Sequence, residues 1–108
     1  MTVSQLIERM ELTVFHAPEP EREVTGGYVG DLLSWVMGRA EPGQAWLTIM
    51  SNQNVAAVAA LADVACVILT EGVQPDADLL KKAQAQGIDL LGTGASSFEA
   101  AAALSRTL

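Results

Sequence analysis

The sequence predicts an α/β domain: a three-layer sandwich with a small, mainly parallel sheet flanked by helices. Three observations predict it. From Trp46 onward the pattern runs strand, helix, strand, helix, strand, helix with short connections, the signature of parallel strands joined by crossovers. The segment Val64-Ala65-Cys66-Val67-Ile68-Leu69 is apolar at every position, the form of an inner strand covered on both faces. Finally, 108 residues, half of them hydrophobic, fit one domain spanning residues 1–108 with a core that needs no metal or disulfide.

The elements follow in order. Thr2 or Ser4 caps a first helix that runs to Met10, with Val3, Leu6, Ile7 and Met10 at helical spacing. Leu12, Val14 and Phe15 suit a strand over Glu11 to His16, and Pro18 and Pro20 then break regular structure. Glu21 to Gly30 is polar and rich in glycine, which predicts an irregular path. Asp31 is placed to cap a helix bearing Leu32, Leu33, Trp35, Val36 and Met37, with Gly38 as its stop. After a turn at Glu41 to Gln44 comes a strand over Ala45 to Met50. Ser51 or Asn52 caps the helix carrying Val55, Val58, Ala59 and Ala62. Beyond the apolar strand, Pro75 and Asp76 open a helix that Gly87 ends. Ile88 to Thr93 forms the last strand. Ser96 and Glu99 have capping-box spacing for a terminal helix to about Leu104.

Charge and composition narrow the function. Six basic against thirteen acidic residues give a net charge of −7, and Lys81-Lys82 is the only adjacent basic pair, so a nucleic-acid partner is not expected. No segment approaches the ~20 apolar residues that span a bilayer, and the first residues lack the basic start and apolar stretch of a signal peptide. The expectation is a cytoplasmic protein with no membrane partner. The lone Cys66 reads as a small core residue. His16, the single histidine, has no second His or Cys nearby, so no metal site and no cofactor are expected. No nucleophile, base and orienting group assemble in the sequence, and the expectation is that the chain is not an enzyme. Neither the Gly-x-x-x-x-Gly-Lys-[Ser/Thr] spacing nor Gly-x-Gly-x-x-Gly is present, since Ser97 stands where the last glycine would fall.

Glu23-Val24-Thr25-Gly26-Gly27 resembles the name motif of the DRTGG domain family, with Thr25, Gly26 and Gly27 matching and Glu23 and Val24 departing. The resemblance continues through Tyr28 to Met37, Ala45 to Asn52, Asn54-Val55 and Ala59 to Asp63, and so covers nearly the whole chain. It implies a fold like the N-terminal domain of HPr kinase/phosphorylase, itself similar to a substrate-binding domain of the Mur ligases. Related domains accompany CBS domains in some inorganic pyrophosphatases and precede the catalytic part of some phosphotransacetylases, as dimerising or regulatory accessories. Stand-alone members in anaerobes are often encoded near iron hydrogenase subunits. The resemblance thus implies a homodimeric regulatory or assembly module acting on a partner enzyme.

Two other classes are set against that reading. In open α/β sheets ligands gather beyond the carboxyl ends of the strands. That rule collects Ser51, Asn52, Asn54, Thr70, Glu71, Thr93 and Ser96, and it predicts that Thr25, Gly26, Gly27 and Asp31 join them in one ligand site. Hydroxyls, amides and backbone N–H groups there suit a nucleotide-like small molecule or a phosphorylated metabolite, making the chain a sensor. The same residues also serve as helix caps and turn formers. A phosphotransfer enzyme is the third class, suggested only by kinship with HPr kinase.

Overall fold

The computed structural model describes all 108 residues. Its sheet is built by a walk in one direction. Strand β2 (Gly26–Val29) is followed by helix α2 (Leu33–Arg39), β3 (Gln44–Thr48), α3 (Asn54–Ala62), β4 (Cys66–Leu69), α4 (Ala77–Gln86) and β5 (Leu90–Gly92). Each strand pairs in parallel with the one before it. Crossovers of one hand, all moving the same way, place their helices on one face of the sheet. The opposite face is left to α1 (Val3–Met10) and α5 (Ser97–Thr107). Strand β1 (Thr13–His16) pairs antiparallel with β5, so the sheet is mixed and its order is β1-β5-β4-β3-β2.

Alternation along the strands sorts the core into two halves. Trp46, Val67, Leu69 and Leu90 pack against Val36 of α2, Val55, Ala59 and Ala62 of α3, and Leu79 and Ala83 of α4. On the other face Ala45, Leu47, Cys66, Ile68 and Leu91 meet Val3 and Leu6 of α1 with Ala100 and Leu104 of α5. Small residues on α3 and α5 let those helices approach the strands closely, in keeping with a chain whose aromatics are few. Trp46, fully buried, is the one large ring in the centre, and its Nε1 donates to the Gly30 carbonyl at 2.8 Å.

Local signals hold at the chain's two outer helices. Thr2 and Gln5 form a capping box on α1, and Ser96 and Glu99 form the expected one on α5. Helix α5 runs on to Thr107, past the predicted end near Leu104. Several expectations need correction. The glycine-rich segment is no loop: Gly26–Val29 is a strand at the edge of the sheet, because main-chain pairing with β3 outweighs the weak strand preference of glycine. Gly38 does not stop α2, which continues to Arg39 and is closed by Ala40. Gln53, not Ser51 or Asn52, occupies the N-cap position of α3, and no side chain bonds from it.

Because Ile68 is fully buried between β4 and the α1–α5 layer, Ile68→Ala should lower unfolding free energy by about 2–5 kcal/mol. Phe98, 77 % exposed on α5, should tolerate Phe98→Ala within about 0.5 kcal/mol. Urea unfolding of both variants checks the layer assignment.

Candidate functional site

Thr25, Gly26 and Gly27 sit at the amino end of β2, where Gly26 pairs with Gln44 and Gly27 with Ala45. Thr25 N–H donates to the Gly43 carbonyl at 2.9 Å. Gly43 has a φ of +85°, and a Cβ there would come within 2.8 Å of Thr25 Oγ1, so the turn before β3 and the motif threonine require each other. At Gly27 the neighbour is a helix: a Cβ would lie 2.6 Å from Leu104 Cδ2. The glycine therefore sets how closely α5 packs on the edge strand.

Beside this contact the surface opens into a groove of about 420 Å³. One wall is Thr25, Gly26, Gly27 and Val29; the other is Ala101, Leu104, Ser105 and Leu108, one face of α5 at helical spacing. That half of the groove was legible only as an i, i+3, i+4, i+7 pattern, and the predicted helix end near Leu104 cut it short. Strand β2 has a neighbour on one side alone, so the other side of its backbone is an edge.

The carboxyl end of the sheet is organised differently. Asp31 does not cap α2; Leu32 holds that position. The Asp31 carboxylate is drawn instead to the end of β3, where Oδ1 accepts from Thr48 Oγ1 at 2.8 Å and from Ile49 N–H at 2.9 Å. Asn52 Oδ1 accepts from Asn54 N–H at 2.9 Å, an Asx turn leading into α3, and the Ser51 carbonyl accepts from Asp76 N–H. Thr70, Glu71, Thr93 and Ser96 do come together, around the start of α5. Thr70 Oγ1 and Ser97 Oγ lie 2.6 Å apart, and Glu71 Oε2 accepts from Ser97 N–H at 2.8 Å. Thr93 Oγ1 accepts from Ala95 N–H, and Ser96 Oγ from Glu99 N–H.

Two consequences follow from these positions. First, the Glu71 carboxylate already fills the place at the amino end of α5 where an anion would be held, with a left-handed backbone (φ 60°) presenting it. Second, Thr25, Gly26 and Gly27 do not converge with the other candidates. Parallel pairing puts them at the opposite end of the sheet, so the single site expected from the sequence is divided. Both cavities of the molecule lie away from the carboxyl-end cluster.

A residue the sequence reading passed over stands at the amino end of β5. Asp89 is 2 % exposed; its Oδ1 accepts from Glu19 N–H at 2.9 Å, while Oδ2 is buried without a hydrogen-bond partner. Burial raises its pKa above the ordinary aspartate value, and the Glu19 N–H opposes the rise. Its signal in the sequence was a charge directly before an apolar strand. Cys66, buried nearby, is pushed up to about 12 by burial and by Asp89, so its thiol stays protonated within the core. His16 ends β1, and no group of three or more His, Cys, Asp and Glu side chains is placed to hold a metal ion. No helix is long and apolar enough to cross a membrane.

The DRTGG domain family matches residues 5–107 of this chain. Among curated proteins none matches. Of the solved structures, the CBS and DRTGG domains of the regulatory region of Clostridium perfringens pyrophosphatase, complexed with the activator diadenosine tetraphosphate, have the same fold at a TM-score of 0.77 and 15 % identity. The match covers 99 % of this chain and 47 % of that one, so the chain spans about half the length of its structural relative.

Asp89 generates a pH prediction with a definite sign. Its folded pKa lies above the unfolded value, so its contribution favours the fold fully below the unfolded pKa and is lost as pH rises through the folded one. The chain should therefore lose stability relative to Asp89→Asn as pH is raised from about 4 toward neutrality, since the amide keeps the oxygen facing Glu19 and carries no charge. Urea unfolding of both proteins over a pH series measures the difference; a constant gap, or one of opposite slope, contradicts the assignment.

Proposed function

The chain belongs to the DRTGG domain family, and from that premise we propose that it is a non-catalytic regulatory or assembly module, working as a homodimer on a partner enzyme. The observation that carries the proposal is the open edge strand β2 with the motif glycines at its start and a groove along its flank. An unpaired edge offers a row of N–H and C=O groups to another strand. Val29 on this strand, Leu32, Trp35 and Met37 on the segment that follows it, and Leu108 in the groove wall are each about half exposed, an apolar content that favours association. Arg39 lies over the Trp35 ring at 3.7 Å and holds that indole in place. Antiparallel pairing of β2 with β2 of a second copy about a two-fold axis would join two five-stranded sheets.

The partner enzyme is inferred from the accessory settings of the family. They point to energy metabolism, with iron hydrogenase as the first candidate, and to the cytoplasm. In the structural relative, the corresponding domain belongs to the regulatory region of a pyrophosphatase, which supports control of an enzyme as the general role. A second reading, a small-molecule sensor, is favoured by the size of the groove: about 420 Å³ falls within the ~300–1,000 Å³ of ligand pockets. On that reading Thr25, Gly26 and Gly27 contact the ligand. The hydrogen-bonded cluster of Asp31, Asn52, Thr70, Glu71, Thr93 and Ser96 then shapes the scaffold.

Native mass spectrometry of the full chain tests both readings. A dimer that Val29→Lys converts to monomer is the expected result, because a charge placed on the edge strand opposes pairing. A bare monomer for the unaltered chain overturns the homodimer. A retained nucleotide-sized adduct, lost in Gly27→Val, promotes the sensor reading.

A further inference from the structure

The two edges of the sheet are built differently. Strand β1 closes one side with a register break between Val14 and His16, and Pro18 follows soon after. Bulges and prolines keep an edge from pairing with another chain. Strand β2 closes the other side without such a guard. Gly26–Val29 keeps an unbroken register against β3 and carries neither a charge nor a proline.

The groups this edge offers follow from one hydrogen bond. Gly30 N–H donates to the Leu47 carbonyl at 3.2 Å. Successive residues of a strand turn their main-chain groups to opposite sides. Gly26 and Tyr28 therefore also bond toward β3, and the N–H and C=O of Gly27 and Val29 point outward. Thr25, just before the strand, already gives its N–H to the Gly43 carbonyl. Side chains alternate as well: Gly27 faces Leu104 of α5, and Tyr28 packs on the opposite layer. On the Tyr28 face the order Gly26, Tyr28, Gly30 is small, large, small in either direction. A Cβ at Gly30 would stand 2.8 Å from the Tyr28 ring, so that glycine already yields its space to the tyrosine.

Resting on the homodimer reading above, we propose that β2 pairs antiparallel with β2 of a second copy in one register, its two-fold axis at Tyr28. A strand that reads alike in both directions suits an isologous contact, whereas an unrelated strand matches the main chain alone. Gly27 then lies opposite the partner's Val29, and every outward N–H of one copy meets an outward carbonyl of the other. Opposed residues share a face, so the axis passes through a residue and not between two. An axis at Gly27 sets Val29 against the partner's Thr25, whose N–H is taken. An axis at Val29 sets Gly27 against the partner's Asp31, which lies past the strand end with its carboxylate held by Thr48 and Ile49. Only the axis at Tyr28 leaves no outward group unmet. A two-fold axis normal to the sheet keeps both α5 helices on one face, so the partner's Val29 enters the groove beside Gly27. A stable dimer covers about 800 Å² per partner, more than four strand residues hide. The apolar wall of Ala101, Leu104 and Leu108 supplies the further area.

Single-cysteine variants of the full chain test the register, because the native Cys66 is fully buried. Tyr28→Cys sets two thiols directly opposite at the axis, with Cβ atoms about 4.5–5.5 Å apart; Val29→Cys sets them on a diagonal, about 7–8 Å apart. Under air oxidation Tyr28→Cys should give a covalent dimer about tenfold faster than Val29→Cys, whose spacing exceeds disulfide reach. Native mass spectrometry before oxidation shows whether each variant is dimeric. Should Tyr28→Cys fail to assemble, the unaltered chain decides. A sample mixed from labelled and unlabelled copies should show an intermolecular NOE between Val29 methyls and Gly27 α-protons. Faster linking of Val29→Cys, no linking in two dimeric variants, or no such NOE in a dimer overturns the register and leaves the homodimer standing. A monomeric unaltered chain overturns both.

Discussion

Strands β3 and β4 are buried on both faces, and almost everything else in the molecule follows from that constraint. From Ala45 to Thr48 and from Cys66 to Leu69 no side chain has appreciable contact with water, so both layers of helices are obligatory. Their backbones are satisfied only by parallel neighbours, which brings in β2 on one side and β5 on the other. Once β2 is needed as a neighbour, a segment poor in strand formers must serve as a strand. It can do so because α5 packs across its glycines, with Leu104 occupying space that a side chain at Gly27 would take. The family motif, on this view, is first a packing device and then a surface.

How much of this was legible depended on where a residue's determinants lie. The run Val64 to Leu69 announces an inner strand by composition alone, and Ser96 with Glu99 announces a helix start through contacts three residues apart. Those signals are local, and the elements they mark are present. The strand at Gly26–Val29 has no local signal, since its pairing partners lie about 18 residues further along the chain and its cover is α5. Asp31 shows the same limit in a side chain. Its sequence position suits a cap, yet Thr48 and Ile49 offer two donors from a neighbouring strand, and the tertiary bonds win. On helix α2 the tertiary packing does the sorting: Val36 is fully buried, while Trp35 and Met37 beside it are about half exposed.

The single ligand site expected from the sequence is divided for a topological reason. The rule that gathers ligands at carboxyl ends assumes that the motif loop follows a strand. Here Thr25-Gly26-Gly27 precedes and begins one, so a parallel sheet carries it to the far end. Polar side chains at the carboxyl end are left to bond one another. Glu71 reaching Ser97 N–H is the clearest case, because it supplies from within the chain the negative charge that a helix start attracts.

What remains uncommitted in the molecule lies at the opposite end and along one edge. The β2 edge has main-chain groups without a strand partner, the neighbouring groove has walls and no occupant side chain, and Asp89 has an oxygen without a donor. These three features differ in chemistry: directional backbone pairing, apolar contact and a buried charge. The first two adjoin and favour a second polypeptide, since an extended strand satisfies the edge while its side chains enter the groove. The third lies across the sheet, beneath β5, among residues that share none of the groove's lining.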